Sequence, residues 1–186
     1  MTKILRDEYI ENSRKLKELE KQIYRSLTEG KILRLISQGE NLVIDATDGT
    51  QTIVEARDIF RSGIDAAFKN WGTNKASEAT EETPVQVYEM YKQNATLAQI
   101  FGSLSKDLDK LCFTQSQIIN FCEKYSDWLR QDGHATFFMF KVNGQFLVAL
   151  VYVNADGLDV LVNRLGHDRV WLGGYRRRVI TPQLVA

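Results

Sequence analysis

The spacing of apolar positions changes along this chain, and each change marks an element. Between Ala135 and Val153 (ATFFMFKVNGQFLVALVYV) two runs rich in Phe and Val flank Asn143-Gly144, a dipeptide that tolerates positive φ and closes two-residue hairpins. Alternation puts Phe137, Met139 and Lys141 on one face and Phe138, Phe140 and Val142 on the other. The returning strand divides into Phe146, Val148, Leu150 and Tyr152 against Leu147, Ala149, Val151 and Val153. Neither face is polar. Such a ribbon must be covered on both sides, by helices, by another sheet or by a second copy of the chain. Each large apolar side chain gains roughly 1.5–3 kcal/mol on burial. A bare face would therefore outweigh the ~5–15 kcal/mol by which a domain is stable.

Elsewhere the period is helical. Over residues 1–29, Leu5, Tyr9, Asn12, Leu16, Leu19, Ile23 and Ser26 fall at spacings of four and three, with Lys, Arg and Glu between them, and Gly30 ends the run. This narrow seam, three heptads at most, supports two readings equally: a helix docked on its own domain, or a dimerising coiled coil. Asp58–Trp71 reads as a helix weakened at Gly63 and stopped by Gly72, and Leu97–Leu104 and Leu108–Phe113 read as short helices. Thr114–Gln117 matches the capping box that opens a helix, with Ile118, Cys122, Tyr125 and Leu129 as its apolar stripe.

The remaining runs read as strands. Lys31–Ser37 suits a strand or a short helix, while Asn41–Ala46 and Thr52–Ala56 flank a turn and predict a second hairpin. Val85–Tyr91 alternates, and so does Leu158–Leu165; Val170–Ile180 then completes an antiparallel meander. Thr73–Thr83, polar with three Glu, reads as a mobile surface loop. The expected fold is α+β: an antiparallel β-meander with helices packed on it, plus a long N-terminal helix. Residues 1–30 form the amphipathic helix and 31–186 a single α+β domain.

Composition narrows the setting. With 186 residues, 44% hydrophobic and 26% charged, the chain has room for one core and a short appendage. Lys+Arg and Asp+Glu both count 24, so overall charge predicts no polyanion partner. The N-terminus is charged, without the apolar stretch of a signal peptide. The hairpin run is broken by Lys141, Asn143, Gly144 and Gln145, well short of the roughly 20 residues needed to span a bilayer. No membrane association is expected. Two Cys without a CxxC pair, and two His, point to a reducing cytoplasm and away from structural zinc. No metal or cofactor is assigned.

The segments KILRLISQGENLVIDATDG, FRSGIDAAFKNWG, QIFGSLSKDLDKLCFTQSQIINF, ATFFMFKVNGQFLVALVYV and VWLGGYRRRVITPQL resemble a family of small uncharacterised bacterial proteins. The resemblance covers Lys31–Leu184 and leaves the N-terminal helix outside. That family has no assigned activity, so the resemblance implies a bacterial intracellular protein and transfers no catalytic or binding residue.

No GxSxG, P-loop or GxGxxG motif is present. Cys112, between Leu111 and Phe113, reads as a core thiol; pairing it with His134 or His167 as nucleophile and base is unconstrained by the sequence. Asp45, Asp48 and Asp65 read as turn and strand-end residues, because their spacing does not match a calcium loop. One local feature stands out. Residues 163–186 hold five arginines against one aspartate, with Trp171 and Tyr175 interleaved. Arg164, Arg169, Trp171, Tyr175, Arg176, Arg177 and Arg178 suit nucleic-acid or anion binding. They suit equally a set of salt bridges to Glu78–Glu82 or to the N-terminal helix, with guanidinium groups lying over rings. The structural reading is favoured.

The expected function is a non-enzymatic binding or adaptor protein, self-associating through Leu5, Tyr9, Asn12, Leu16, Leu19 and Ile23 or through a sheet face. The alternative is a nucleic-acid-binding domain using the arginine and aromatic strand. An enzyme would require a polar pocket collecting His134 or His167 with carboxylates.

Overall fold

The computed structural model describes residues 10–20 and 31–184, and the chain divides into two compact units, Met1–Lys31 and Ile32–Ala186. In the first unit residues 10–20 form helix α1, where Glu11 and Lys15 pair one turn apart at 3.7 Å. Of the seam, Asn12, Leu16 and Leu19 fall on α1; Leu5, Tyr9, Ile23 and Ser26 lie outside the described residues. The expected long N-terminal helix is thus described over residues 10–20 alone.

The second unit is built on β6 (Thr136–Val142) and β7 (Gln145–Asn154), paired antiparallel with Phe137 opposite Leu150 and Phe138 opposite Ala149. Asn143 and Gly144 turn the chain at φ 53° and 76°, the left-handed pair that matches the twist of the strands. Every residue from Thr136 to Phe140 and from Leu147 to Val151 is buried. Phe138, Phe140, Leu147, Ala149 and Val151 pack in one cluster, and Phe137, Met139, Val148 and Leu150 in another, as the alternation requires.

The first cluster lies under α2 (Ala67–Asn70), α4 (Gln115–Lys124) and apolar residues between Leu42 and Phe60. The second lies under α3 (Leu97–Gly102), a 3₁₀ turn at Leu108–Leu111, and Leu165 and Trp171. The ribbon is therefore shielded on both faces by its own unit, which removes the reason to expect a second copy on a sheet face.

The meander holds for three strands and then breaks. β8 (Gly157–Arg164) pairs antiparallel with β7. The last strand, β9 (Arg178–Pro182), does not continue on β8. It inserts between β4 (Thr83–Met90) and β6, antiparallel to the first and parallel to the second. Burial gives the reason: Val179 and Ile180 point to opposite faces and are both 0% exposed, a demand that an interior position meets. The outer edge of β8 is taken instead by β3 (Gly63–Ile64), in parallel. With β1 (Leu33–Leu35) the order is β1-β4-β9-β6-β7-β8-β3, while β2 (Val43–Ile44) joins β4 and β5 (Cys112–Phe113) joins β6. The fold is α+β on a mixed sheet.

Local chemistry explains where other elements arise or fail. Thr114 and Gln117 form the capping box of α4, and Thr96 and Gln99 form another on α3. The hairpin expected from Asn41–Ala46 and Thr52–Ala56 does not form, because β2 pairs with β4. Glu55 instead reaches back to the amide and hydroxyl of Thr52 (3.2 and 2.6 Å), a side-chain bond that favours a turn over a strand. The helix expected over Asp58–Trp71 shrinks to α2. Gly63 runs beside β8, where a Cβ would sit 2.6 Å from the Asp159 carboxylate. Thr73–Thr83 is a pinned loop: the Gln115 amide donates to the Thr73 and Lys75 carbonyls (2.8 and 3.1 Å), and Thr47 and Thr80 exchange backbone bonds.

Candidate functional site

After β8 the chain folds back over the sheet before it enters β9. Trp171 packs edge-on against Phe137, their centroids 4.9 Å apart. The Trp171 backbone exchanges two bonds with Ala95 (3.0 and 2.8 Å), and the Gly173 amide donates to the Asn94 side chain at 3.0 Å. A side chain at 173 would collide with the Gln93 backbone, so this close approach requires glycine. Arg176 closes the turn at φ 49°, a left-handed conformation uncommon for a residue with a Cβ. Beyond it Arg177 and Arg178 leave on opposite faces of the sheet.

Arg177 is buried. Its guanidinium lies against the rings of Trp171 (4.8 Å) and Tyr175 (5.0 Å), and Nη1 donates to the Leu172 carbonyl at 3.0 Å. Its Nε and the Trp171 Nε1 are buried without a hydrogen-bond partner among the described residues. Arg169 lies over the same indole at 4.2 Å, and Tyr175 is stacked with His134 at 4.7 Å.

Strand register sets the floor of the cluster. Thr136 is opposite both Arg178 and Val151, and Tyr152 is opposite Asp159. Arg177, Ala135, Tyr152 and Asp159 therefore form one row across the sheet, and the small Ala135 leaves the arginine room. Burial lowers the Arg177 pKa, with Arg169 adding to the shift and Tyr152 opposing it. Burial raises the Tyr152 phenol, partly offset by Arg169 and Arg177. It also raises the Asp159 carboxyl.

The other members of the arginine set lie apart. Arg178 donates from Nη1 to the carbonyls of Asp127 and Leu129 (3.1 and 3.0 Å) on the opposite face, where Glu89 is its register partner. Arg176 is exposed. Arg164 lies over Trp71 at 5.3 Å, in the wall of a cavity of about 560 Å³ that also contains Phe146 and His167. Among the described residues none of these five arginines forms a salt bridge, to Glu78–Glu82 or elsewhere. The structure thus brings Arg169, Trp171, Tyr175 and Arg177 together and separates Arg164, Arg176 and Arg178 from them. Tyr152 and Asp159 join the cluster unannounced by residue type, placed there by the pairing of β7 with β8, and His134, which the sequence offers as a base, joins it by stacking on Tyr175.

The remaining candidates do not converge. The Cys112 thiol donates to the Leu108 carbonyl at 3.4 Å, and burial pushes it up to about 12, with Asp109 adding and Lys141 opposing. Asp45 pairs with Lys124 at 2.5 Å, Asp48 accepts from Thr50, and Asp65 accepts from the amides of Ala67 and Val162. Among the described residues no group of three or more His, Cys, Asp or Glu is placed to hold a metal ion, and no helix is long and apolar enough to cross a membrane. In comparisons with known proteins, no family model matches the chain, and no curated protein or solved structure matches it significantly.

Proposed function

We propose that this is a non-enzymatic binding protein of the bacterial cytoplasm, an adaptor that docks an acidic and apolar segment of a partner protein on residues 169–177. The observation that carries the reading is the buried Arg177 guanidinium, met by two rings and one carbonyl but, among the described residues, by no carboxylate. A buried cation costs several kcal/mol unless it is paired, and stacking on rings returns only about 0.5–2 kcal/mol. A carboxylate brought by a partner completes the set, with Arg169 beside it. Exposed Val170, Leu172 and Tyr175 supply an apolar rim, a composition suited to protein interfaces. Two free cysteines agree with a reducing compartment.

Nucleic acid is the weaker partner for the same surface. Trp171 is buried, Tyr175 is already stacked, and Arg178 serves the other face, so little platform remains for bases. Fluorescence anisotropy of the full chain separates the two, using a labelled peptide of alternating glutamate and leucine and a labelled single-stranded oligonucleotide. The peptide is expected to bind, and Arg169→Glu to weaken it about tenfold or more. Oligonucleotide binding lost in the same variant replaces this reading with the nucleic-acid one. Silence with both probes removes it.

A second copy of the chain is the partner that suits α1, where Leu16 and Leu19 stand 60% and 55% exposed at the three-residue step of the seam. Light scattering of the full chain is expected to give a dimer that Leu16→Glu with Leu19→Glu reduces to a monomer. A monomeric parent protein ends this part.

A further inference from the structure

A separate concentration of positive charge lies on the α4 side of the sheet, in a cavity of about 390 Å³ within residues 54–69. Val54, Phe60 and Ile64 give it an apolar floor, and Arg57, Arg61 and Lys69 stand around it. One carboxylate, Asp65, is in the lining, and both of its oxygens are engaged: Oδ1 accepts from the Ala67 amide at 2.9 Å and Oδ2 from the Val162 amide at 3.3 Å. Glu55, close in sequence, is turned to the amide and hydroxyl of Thr52. The three cations form no salt bridge among the described residues.

Arg61 is held in place for such a role. Its Nε donates to the Asp58 carbonyl at 2.8 Å, and its Cβ lies 3.1 Å from where a side chain at Gly157 would begin. The Nε bond orients the guanidinium while the two terminal nitrogens remain for a ligand. Like charges gathered round one concavity repel each other, and a multiply charged anion reverses that cost. A guanidinium fork suits the paired oxygens of a phosphoryl group, and an ammonium serves as a mobile point charge beside it. Inorganic phosphate alone would leave Phe60 and its neighbours without use.

We propose that this cavity is a binding site for a small organic phosphate, with Arg57, Arg61 and Lys69 holding the phosphoryl group and Val54, Phe60 and Ile64 receiving an apolar body. The site is distinct from the Arg177 cluster, and neither depends on the other.

The test is a ¹H–¹⁵N titration of the full chain with phenyl phosphate and, separately, with inorganic phosphate. Shifts are expected to concentrate at residues 54–69, with phenyl phosphate binding about tenfold more tightly than inorganic phosphate. Arg61→Gln and Lys69→Gln, both at exposed positions, are expected to keep the dispersed spectrum and each weaken binding about tenfold. No shifts at millimolar phenyl phosphate overturn the proposal. So do shifts that the two substitutions leave unchanged, and so does equal affinity for the two probes, which removes the apolar body. Shifts confined to residues 169–177 overturn it as well and bear instead on the partner-docking surface.

Discussion

The two faces of the central sheet bury their apolar side chains alike but treat charge differently at the row where β9 begins. On the α4 face Arg178 meets two carbonyls and the register partner Glu89. Glu89 also accepts from Arg34, from Nε at 3.1 Å and Nη2 at 2.6 Å, so cation and carboxylate alternate across three strands. On the α3 face Arg177 meets two rings, one carbonyl and, among the described residues, no acid. Neighbours in sequence thus share a pKa lowered by burial and a buried Nε without a partner among the described residues, but differ in what stands beside them, Glu89 for Arg178 and two rings for Arg177. A guanidinium with two fixed carbonyl acceptors belongs to the fold, whereas one with a single carbonyl and two rings keeps donors for a further acceptor.

The largest effects test whether the two covers are equally tight. Phe137 and Phe138 are both 0% exposed, on opposite faces. Phe137→Ala and Phe138→Ala are each expected to cost about 3–5 kcal/mol in denaturant unfolding. A much smaller cost at Phe137 would mean that the cover carrying Trp171 is loosely packed. The thiols report on the same question without denaturant. Cys122 lies on α4, and Cys112 packs against the α3-side cluster. Burial raises both, Cys112 from 9.0 to about 12. In the native protein Cys112 is expected to alkylate about 10³-fold more slowly than a free cysteine, followed by mass spectrometry. Reaction at the rate of an exposed thiol would show the α3-side cover opening.

The sharpest comparison is between the two arginines. Arg178→Met leaves the Asp127 and Leu129 carbonyls short of a donor and Glu89 short of a neighbour, and is expected to cost about 2–4 kcal/mol. Arg177→Met leaves one carbonyl, Leu172, short of a donor, but it removes a buried cation that has no acid among the described residues and fills its space with hydrocarbon. Its stability is expected within about 1 kcal/mol of the parent, on either side, while binding of the acidic peptide is lost. Equal destabilisation by both substitutions would make Arg177 a structural residue and remove the ground for a docking site.

How much of this was readable from residue order follows from the range of the forces involved. The faces of β6 and β7 and the cap at Thr114 were readable, since alternation and capping act between near neighbours. The place of β9 was not, because it depends on Val179 and Ile180 finding cover on both sides from strands far away in sequence. The failed hairpin at Thr52 turned on a single reach by Glu55, and the shortened helix on Gly63 accommodating Asp159. The arginine set was visible as residue types. Its division was not, because it rests on the left-handed Arg176 and on a register that also brings in Tyr152 and Asp159.

The smallest effect separates the faces by the sign of their pH dependence. In the segment covering the α4 face, Asp45, Asp48 and Glu55 are held below their ordinary values of 3.8, 3.8 and 4.5, chiefly by bonds from Lys124, Thr50 and Thr52. Their unfolded forms bind protons first, so their contribution is fully present above those ordinary values and is lost as pH falls through the folded ones. Asp159, in the row of Arg177, is raised above 3.8 by burial, with Asp65 adding and the Val160 amide opposing. Its folded form binds the proton more readily, so its cost is absent at low pH and grows as pH rises through the folded value. Urea midpoints at about pH 3 and pH 7 are expected to show Asp48→Asn destabilising more at the higher pH than at the lower, and Asp159→Asn stabilising at the higher pH. The second variant also decides the character of the cluster. If Asp159→Asn instead weakens the protein at neutral pH, the aspartate is already serving Arg177 as a distant counter-ion, and the cation does not need one from a partner.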